Sequence, residues 1–294
     1  KDKIIIGTWS LSGSFGNIEK KEIYKVLEFA IESGFLEFDL APNYGNGIIE
    51  NIFSDLKKYY PDILINTKCG NNIQNIKSFN ERDITKSINR SIDLLKSINI
   101  LYLHNPREEV SDIRSLIKLL NKYKDENLIQ HTGISFARNH YFEKKDIDQL
   151  DFIQDEINLL HCSNVSILEK FNCKIIARSP LASGVLSGNL NLNSVFEPQD
   201  YRYSWLRGQR LKNILKQIKE LEKIIDCDIR KYSKYFVLKH SAINKVIFGV
   251  KSKKHIEELL RDVDTFEQEN FSNFMNVIKL SEKNYNLKDF NNAY

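Results

Sequence analysis

The chain has 294 residues, 41% of them apolar and 28% charged, with 43 basic against 39 acidic side chains. That length suits one large α/β domain or two small ones, and a net charge of +4 without a concentrated basic stripe argues against nucleic acid as a partner. No apolar run approaches the ~20 residues of a membrane span and no charged-then-apolar leader opens the chain. The expectation is therefore a soluble globular protein of the cytoplasm. Cys69, Cys162, Cys173 and Cys227 are far apart and form no C-x-x-C pair. No metal site or redox dithiol is expected from that spacing, and the four read as free thiols in a reducing compartment.

Taken in chain order, eight short apolar runs recur: Lys3–Gly7, Phe35–Leu40, Ile63–Lys68, Ile98–His104, Ile129–Ser135, Asp151–Glu156, Lys174–Arg178 and Lys245–Val250. Near-continuous Ile, Leu, Val and Phe mark strands buried on both faces, as in a parallel sheet. Helical spacing fills the gaps. Ile23, Val26, Leu27 and Ala30 share a face of Glu19–Glu32; Ile84, Ile88, Ile92 and Leu95 do so in Glu81–Ser97; Ile113, Leu116, Ile117 and Leu120 do so in Ser111–Asn121.

Alternating strands and helices imply βαβ units, and eight of them close most economically into an α/β (β/α)8 TIM barrel. A doubly wound open sheet is the alternative, but it would offer G-x-G-x-x-G after its first strand. Here that strand ends in Gly7-Thr8-Trp9-Ser10. A single barrel domain over residues 1–294 is expected. The long gap at about 179–244 holds a Gly/Ser-rich loop, an aromatic stretch and two helical segments.

Active sites of such barrels lie at the C-terminal ends of the strands. Those ends carry Asp39, Lys68 and His104, and Tyr44 follows Asp39 by five residues. A phenol of ordinary pKa ~10 is a poor proton donor at neutral pH unless a cation stabilises its phenolate. Lys68 would supply that cation, Asp39 would hold the lysine charged, and His104 would orient a substrate carbonyl. This is a general-acid site for carbonyl reduction that lacks only a hydride donor.

At these residues the sequence resembles the aldo-keto reductases over essentially its whole length. FDLAPNYGNG, INTKCG and LYLHNP match the segments carrying the family's catalytic tetrad, which falls on Asp39, Tyr44, Lys68 and His104. INRSIDLL, HTGIS, DFIQDEINLL, IARSPLASGVLSG and KVIFGVKSKKHIEEL match in order. The resemblance implies NADPH, with NADH as the alternative, bound across the barrel mouth. Ser135 and Gln154 match residues that hydrogen-bond the nicotinamide carboxamide. Arg178 takes the place of a stacking tyrosine. Ser179, Leu181, Gly184 and Gly188 match the segment folding over the pyrophosphate, and Gly249, Lys251, Ser252, His255 and Glu258 match the segment holding the adenosine end.

Two departures stand out there: the characteristic arginine is missing, with His255 and Lys251 in its usual places, and the adenine-contacting asparagine is Leu259. Lys251, Lys253 and Lys254 still form a basic cluster able to pair with a phosphate.

Trp9, Asn43, Asn46, Asn105 and Tyr201–Trp205 are expected to line a substrate pocket whose aromatic walls and amides suit a sugar-like carbonyl compound. The expected partner is a small-molecule carbonyl or alcohol, bound by a monomer or weak homo-oligomer. Two other classes remain open. One is a Schiff-base aldolase using Lys68, which would need a neutral amine. The other is a non-catalytic NADPH-binding regulatory module, a role that channel-associated members of the family fill.

Overall fold

The computed structural model describes residues 1–107, 110, 112–137, 141–225 and 228–265. Cys227 and residues 266–294, part of the expected single domain, lie outside them. Eight parallel strands close into a barrel in chain order. They are β1 (Ile4–Gly7), β2 (Glu37–Asp39), β3 (Leu64–Cys69), β4 (Ile98–His104), β5 (Ile129–Ser135), β6 (Phe152–Glu156), β7 (Lys174–Arg178) and β8 (Ile243–Gly249). The helices are α1 (Lys20–Glu32), α2 (Ile48–Leu56), α3 (Glu81–Leu95), α4 (Ile113–Asp125), α5 (Lys144–Ile147), α6 (Val165–Leu168), α7 (Gly208–Glu222), α8 (Ile229–Lys239) and α9 (Lys253–Thr265). The (β/α)8 expectation thus holds. The long gap between β7 and β8 contains two 3₁₀ turns, Ala182–Ser187 and Tyr201–Ser204, followed by α7 and α8.

The apolar stripes read along α1, α3 and α4 are their buried faces. Asn80 and Asp112 fix two helix starts by accepting the backbone N–H groups of Asp83 (2.9 Å) and Ser115 (3.0 Å). The strand bounds differ from expectation by more than one residue at two places. β2 is shorter than Phe35–Leu40, although Leu36 and Leu40 still bond β3 through Leu64 N–H (2.7 Å) and Asn66 C=O (2.8 Å). β8 starts two residues before Lys245. The pairing skips Asn244, whose side-chain oxygen instead accepts the Ile175 N–H at 2.7 Å. A polar residue in a bulge hides such a strand start from hydropathy.

Two apolar clusters build the core. The larger one joins the outer barrel wall to the helices; the smaller fills the barrel with Ile5, Ile100, Tyr102, Phe152, Ile176 and Ile247. Gly133 makes room for the Tyr102 ring, since a Cβ there would lie 2.6 Å from it. Because side chains alternate along a strand, the next inward positions toward the C-terminal ends are Gly7, His104, Gln154, Arg178 and Gly249. The same alternation on β2, β3 and β5 brings Asp39, Lys68 and Ser135 inward beside them. The sheet register sets Gly7 beside Asp39, Lys68 beside Tyr102, His104 beside Ser135, and Ser135 beside Gln154. The strand geometry alone therefore collects these groups at one mouth.

Candidate active site

Lys68 is the centre of the mouth. It is fully buried, and its ammonium donates to Asp39 Oδ1 at 2.6 Å and to the Leu40 carbonyl at 2.6 Å. Its third hydrogen-bonding direction reaches the Tyr44 hydroxyl at 3.4 Å, and the ammonium lies 5.0 Å from the Tyr44 ring centroid. Burial works to strip the proton from Lys68, but the Asp39 carboxylate and Tyr44 outweigh it and hold the pKa above the ordinary lysine value. Burial also raises the Tyr44 pKa above 10.0, against the lowering pull of Lys68. This differs from the expected net stabilisation of the phenolate: desolvation wins over the cation, and Tyr44 keeps its proton at neutral pH.

His104 sits edge-on to Tyr44, ring centroids 6.3 Å apart. It is buried, and its Nδ1 has no hydrogen-bond partner among the described residues. Burial first, then the positive charges of Lys68, Lys77 and Arg178, hold its pKa well below 6.5, so the imidazole is neutral. On the other side, Gln154 Nε2 donates to Asp39 Oδ2 at 2.9 Å and Ser135 Oγ donates to Gln154 Oε1 at 2.8 Å. This chain of hydrogen bonds orients Asp39. Asn105, in a left-handed conformation with φ 53, donates its backbone N–H to the Ser135 carbonyl at 2.8 Å, and its side-chain amide, oriented with nitrogen toward them, donates to the Ser135 and Phe136 carbonyls at 3.3 and 3.2 Å. Arg178 donates to the Phe136 carbonyl at 3.2 Å and lies 3.7 Å from Glu156. It is a mostly buried cavity residue, not a surface cation.

One cavity of about 960 Å³ runs through this mouth. Among the residues expected there, Trp9, Asn43, Asn46, Asn105, Ser135, Gln154, Arg178, Ser179, Leu181, Gly184, Gly249, Lys251, His255 and Glu258 all line it with the tetrad. Gly188 and Ser252 do not. Gly188, at φ 76, turns the chain beneath α8, and the Ser252 carbonyl accepts the His255 N–H (3.1 Å) at the start of α9. Lys253 packs over the Phe29 ring (5.2 Å) instead of joining Lys251, so the expected lysine cluster is dispersed. Of Tyr201–Trp205 only Arg202 lines the cavity; Tyr201 packs edge-on against Trp9 at 5.0 Å.

Several lining residues were not foreseen. Asn71, Asn75 and Lys77 come from the loop after β3, and Arg107 from the loop after β4. Arg202, the lining residue of the expected Tyr201–Trp205 stretch, is fixed by both oxygens of Asp200 (3.0 and 2.7 Å) and lies over Gly184, where a Cβ would meet its guanidinium at 3.2 Å. Arg230 enters from α8 and pairs with Glu258 at 2.8 Å. The polar run after Lys68 was the available signal for the first group; nothing local marks Arg230.

The chain belongs to the aldo/keto reductase family, whose model matches residues 3–278. It is accordingly an NAD(P)H-dependent oxidoreductase, of a family that reduces carbonyl groups. It is 25% identical over 288 residues to a protein of Arabidopsis thaliana named "Probable voltage-gated potassium channel subunit beta", covering 88% of this chain and 86% of that protein. It is 24% identical over 241 residues to the aldo-keto reductase YhdN of Bacillus subtilis (strain 168), covering 76% and 72%. The glycerol dehydrogenase AKR11B4 from Gluconobacter oxydans shares the fold at TM-score 0.75 and 21% identity, over 96% of this chain and 90% of that one. No helix among the described residues is long and apolar enough to cross a membrane.

Proposed function

We propose that this chain reduces an aldehyde or ketone to the alcohol with NADPH, with Tyr44 as the acid that protonates the carbonyl oxygen. The observation that carries the reading is the Asp39–Lys68–Tyr44 arrangement. Lys68 is locked by two 2.6 Å hydrogen bonds and faces Tyr44 with its remaining donor at 3.4 Å. That contact strengthens as the phenol gives up its proton, because the acceptor becomes charged. His104 is neutral and offers a ring nitrogen to the substrate oxygen. Asp39 keeps Lys68 protonated, which opposes a Schiff-base role requiring the free amine.

The cavity residues fit a nicotinamide dinucleotide. Gln154 and Ser135 offer polar atoms beside the tetrad, and Arg178 offers a planar guanidinium. Ser179, Ala182, Ser183 and Gly184 all have positive φ, a turn that lets backbone approach a phosphate closely, with Arg202 over it. At the far end Arg230, Lys251 and His255 line the cavity with Glu258. Arg230 is an arginine from outside the motif that lacks one, and we assign it the 2′-phosphate together with Lys251. When bound, the reduced nicotinamide supplies hydride; the protein supplies the proton, the orientation and the shelter from water.

The thiols Cys69 and Cys173, which form no disulfide, suit a reducing cytoplasm. The test is consumption of NADPH and of NADH, followed by absorbance, against sugar, aliphatic and aromatic carbonyls. Turnover with NADPH preferred supports the reading. Tight NADPH binding without turnover of any carbonyl would favour the regulatory role, and borohydride trapping of substrate carbon on Lys68 would favour the aldolase.

A further inference from the structure

A recess of about 720 Å³ adjoins the main cavity on the side of β4. It is bounded by the loop before α3, by Val110 and by the start of α4, and it shares Lys77, Asn105 and Arg107 with the main cavity. Two cations and an amide therefore mark the junction of the two spaces. Lys77 lies close enough to His104 to help hold its imidazole neutral, which puts this junction at the substrate side of the tetrad.

Arg107 differs from the other arginines of the cavity. Arg178, Arg202 and Arg230 each have a carboxylate within ion-pair distance. Among the described residues Arg107 has none, and its Nε is buried without a hydrogen-bond partner there. A guanidinium is a fork of donors matched to carboxylate or phosphate, and a buried donor left unmade costs stability. Among the described residues no ion pair joins Arg107 to the acids that line the recess, and Asp112 accepts the Ser115 N–H at 3.0 Å. In the main cavity, Asp39 and Glu258 are held by Lys68 and Arg230.

We propose that the substrate carries an anionic group, a carboxylate or a phosphate, and that Arg107 and Lys77 bind it while its carbonyl faces Tyr44 and His104. This rests on the carbonyl-reducing reading above and sharpens the substrate class from a neutral polar carbonyl to an anionic one. The anion is remote from the reacting carbon, so its binding acts chiefly through KM and through steering of the charged substrate into the mouth.

The test compares carbonyl pairs differing only in charge: 4-oxobutanoate against butanal for carboxylate, and glyceraldehyde 3-phosphate against glyceraldehyde for phosphate. The wild-type protein is expected to favour the anionic member of at least one pair by about tenfold or more in kcat/KM, the size of one lost charge-assisted contact. In Arg107→Met that ratio is expected to fall toward one through a higher KM, and in Arg107→Lys to fall partway. A wild-type ratio near one in both pairs, or a ratio unchanged in Arg107→Met, overturns the proposal. If no carbonyl is turned over at all, the reductase reading fails, and calorimetric titration with succinate and with inorganic phosphate decides the anion site alone. Binding lost in Arg107→Met supports it; absence of binding to the wild type overturns it.

Discussion

Lys68 and Tyr44 show how two neighbouring groups buried together settle their protons. Asp39 anchors the ammonium, and desolvation keeps the phenol neutral despite that cation. The proposed acid is thus in its donating form well past neutrality. In the free protein, kcat/KM for reduction should stay level up to pH 10.0, the ordinary tyrosine value, and fall only above it. A break in the pH–rate profile between 7 and ~9 would place another group in the role. His104 adds a stability prediction of definite sign. Its folded pKa is depressed below 6.5, so the unfolded chain binds the extra proton as pH falls through that range. Stability present above pH 6.5 is lost toward acid, and His104→Gln should flatten that slope in thermal melts recorded across the same window.

At the scale of elements, the loops that bring Tyr44 to the mouth depend on one buried carboxylate. Glu50, on α2, accepts from Thr67 of β3 (2.8 Å) and Ser91 of α3 (3.0 Å), and pairs with Arg90 (2.5 Å), while fully buried itself. Glu50→Ala strands these partners and should destabilise the protein by about 3 kcal/mol or more, read as a lower midpoint in denaturant. A change below about 0.5 kcal/mol would contradict the clamp. The strands were legible in the sequence because both faces are apolar, and the site residues because they end those strands. Lys77, Asn75 and Arg107 were not legible, since loop residues carry no periodicity that says which way they face. Arg230 was hidden for another reason: its helix, α8, is reached only after a long connection, and only closure of the barrel sets it against Glu258. The basic cluster at Lys251–Lys254 misled for the converse reason. Adjacent charges in sequence diverge around a helix start, and Lys253 turns to Phe29.

For the molecule as a whole, the barrel divides its interior into an apolar plug and a mouth rich in lysine and arginine, where the carboxylates Asp39 and Glu258 are already paired. A field of that sign attracts phosphate-bearing ligands. A dinucleotide at about a hundred times its Kd should raise stability by ~2.7 kcal/mol. NADPH should raise the melting temperature more than NADH at equal concentration, and Arg230→Ala should shrink that difference; equal shifts in the wild type would remove Arg230 and Lys251 from phosphate recognition. The proposed chemistry turns on Tyr44. The most direct measurement is the rate of NADPH consumption with a carbonyl substrate by Tyr44→Phe beside the wild type, with cofactor affinity determined on the same preparations. The predicted result is a loss of about a hundredfold or more in kcat with cofactor affinity nearly unchanged, and a Phe variant turning over at the wild-type rate would contradict it.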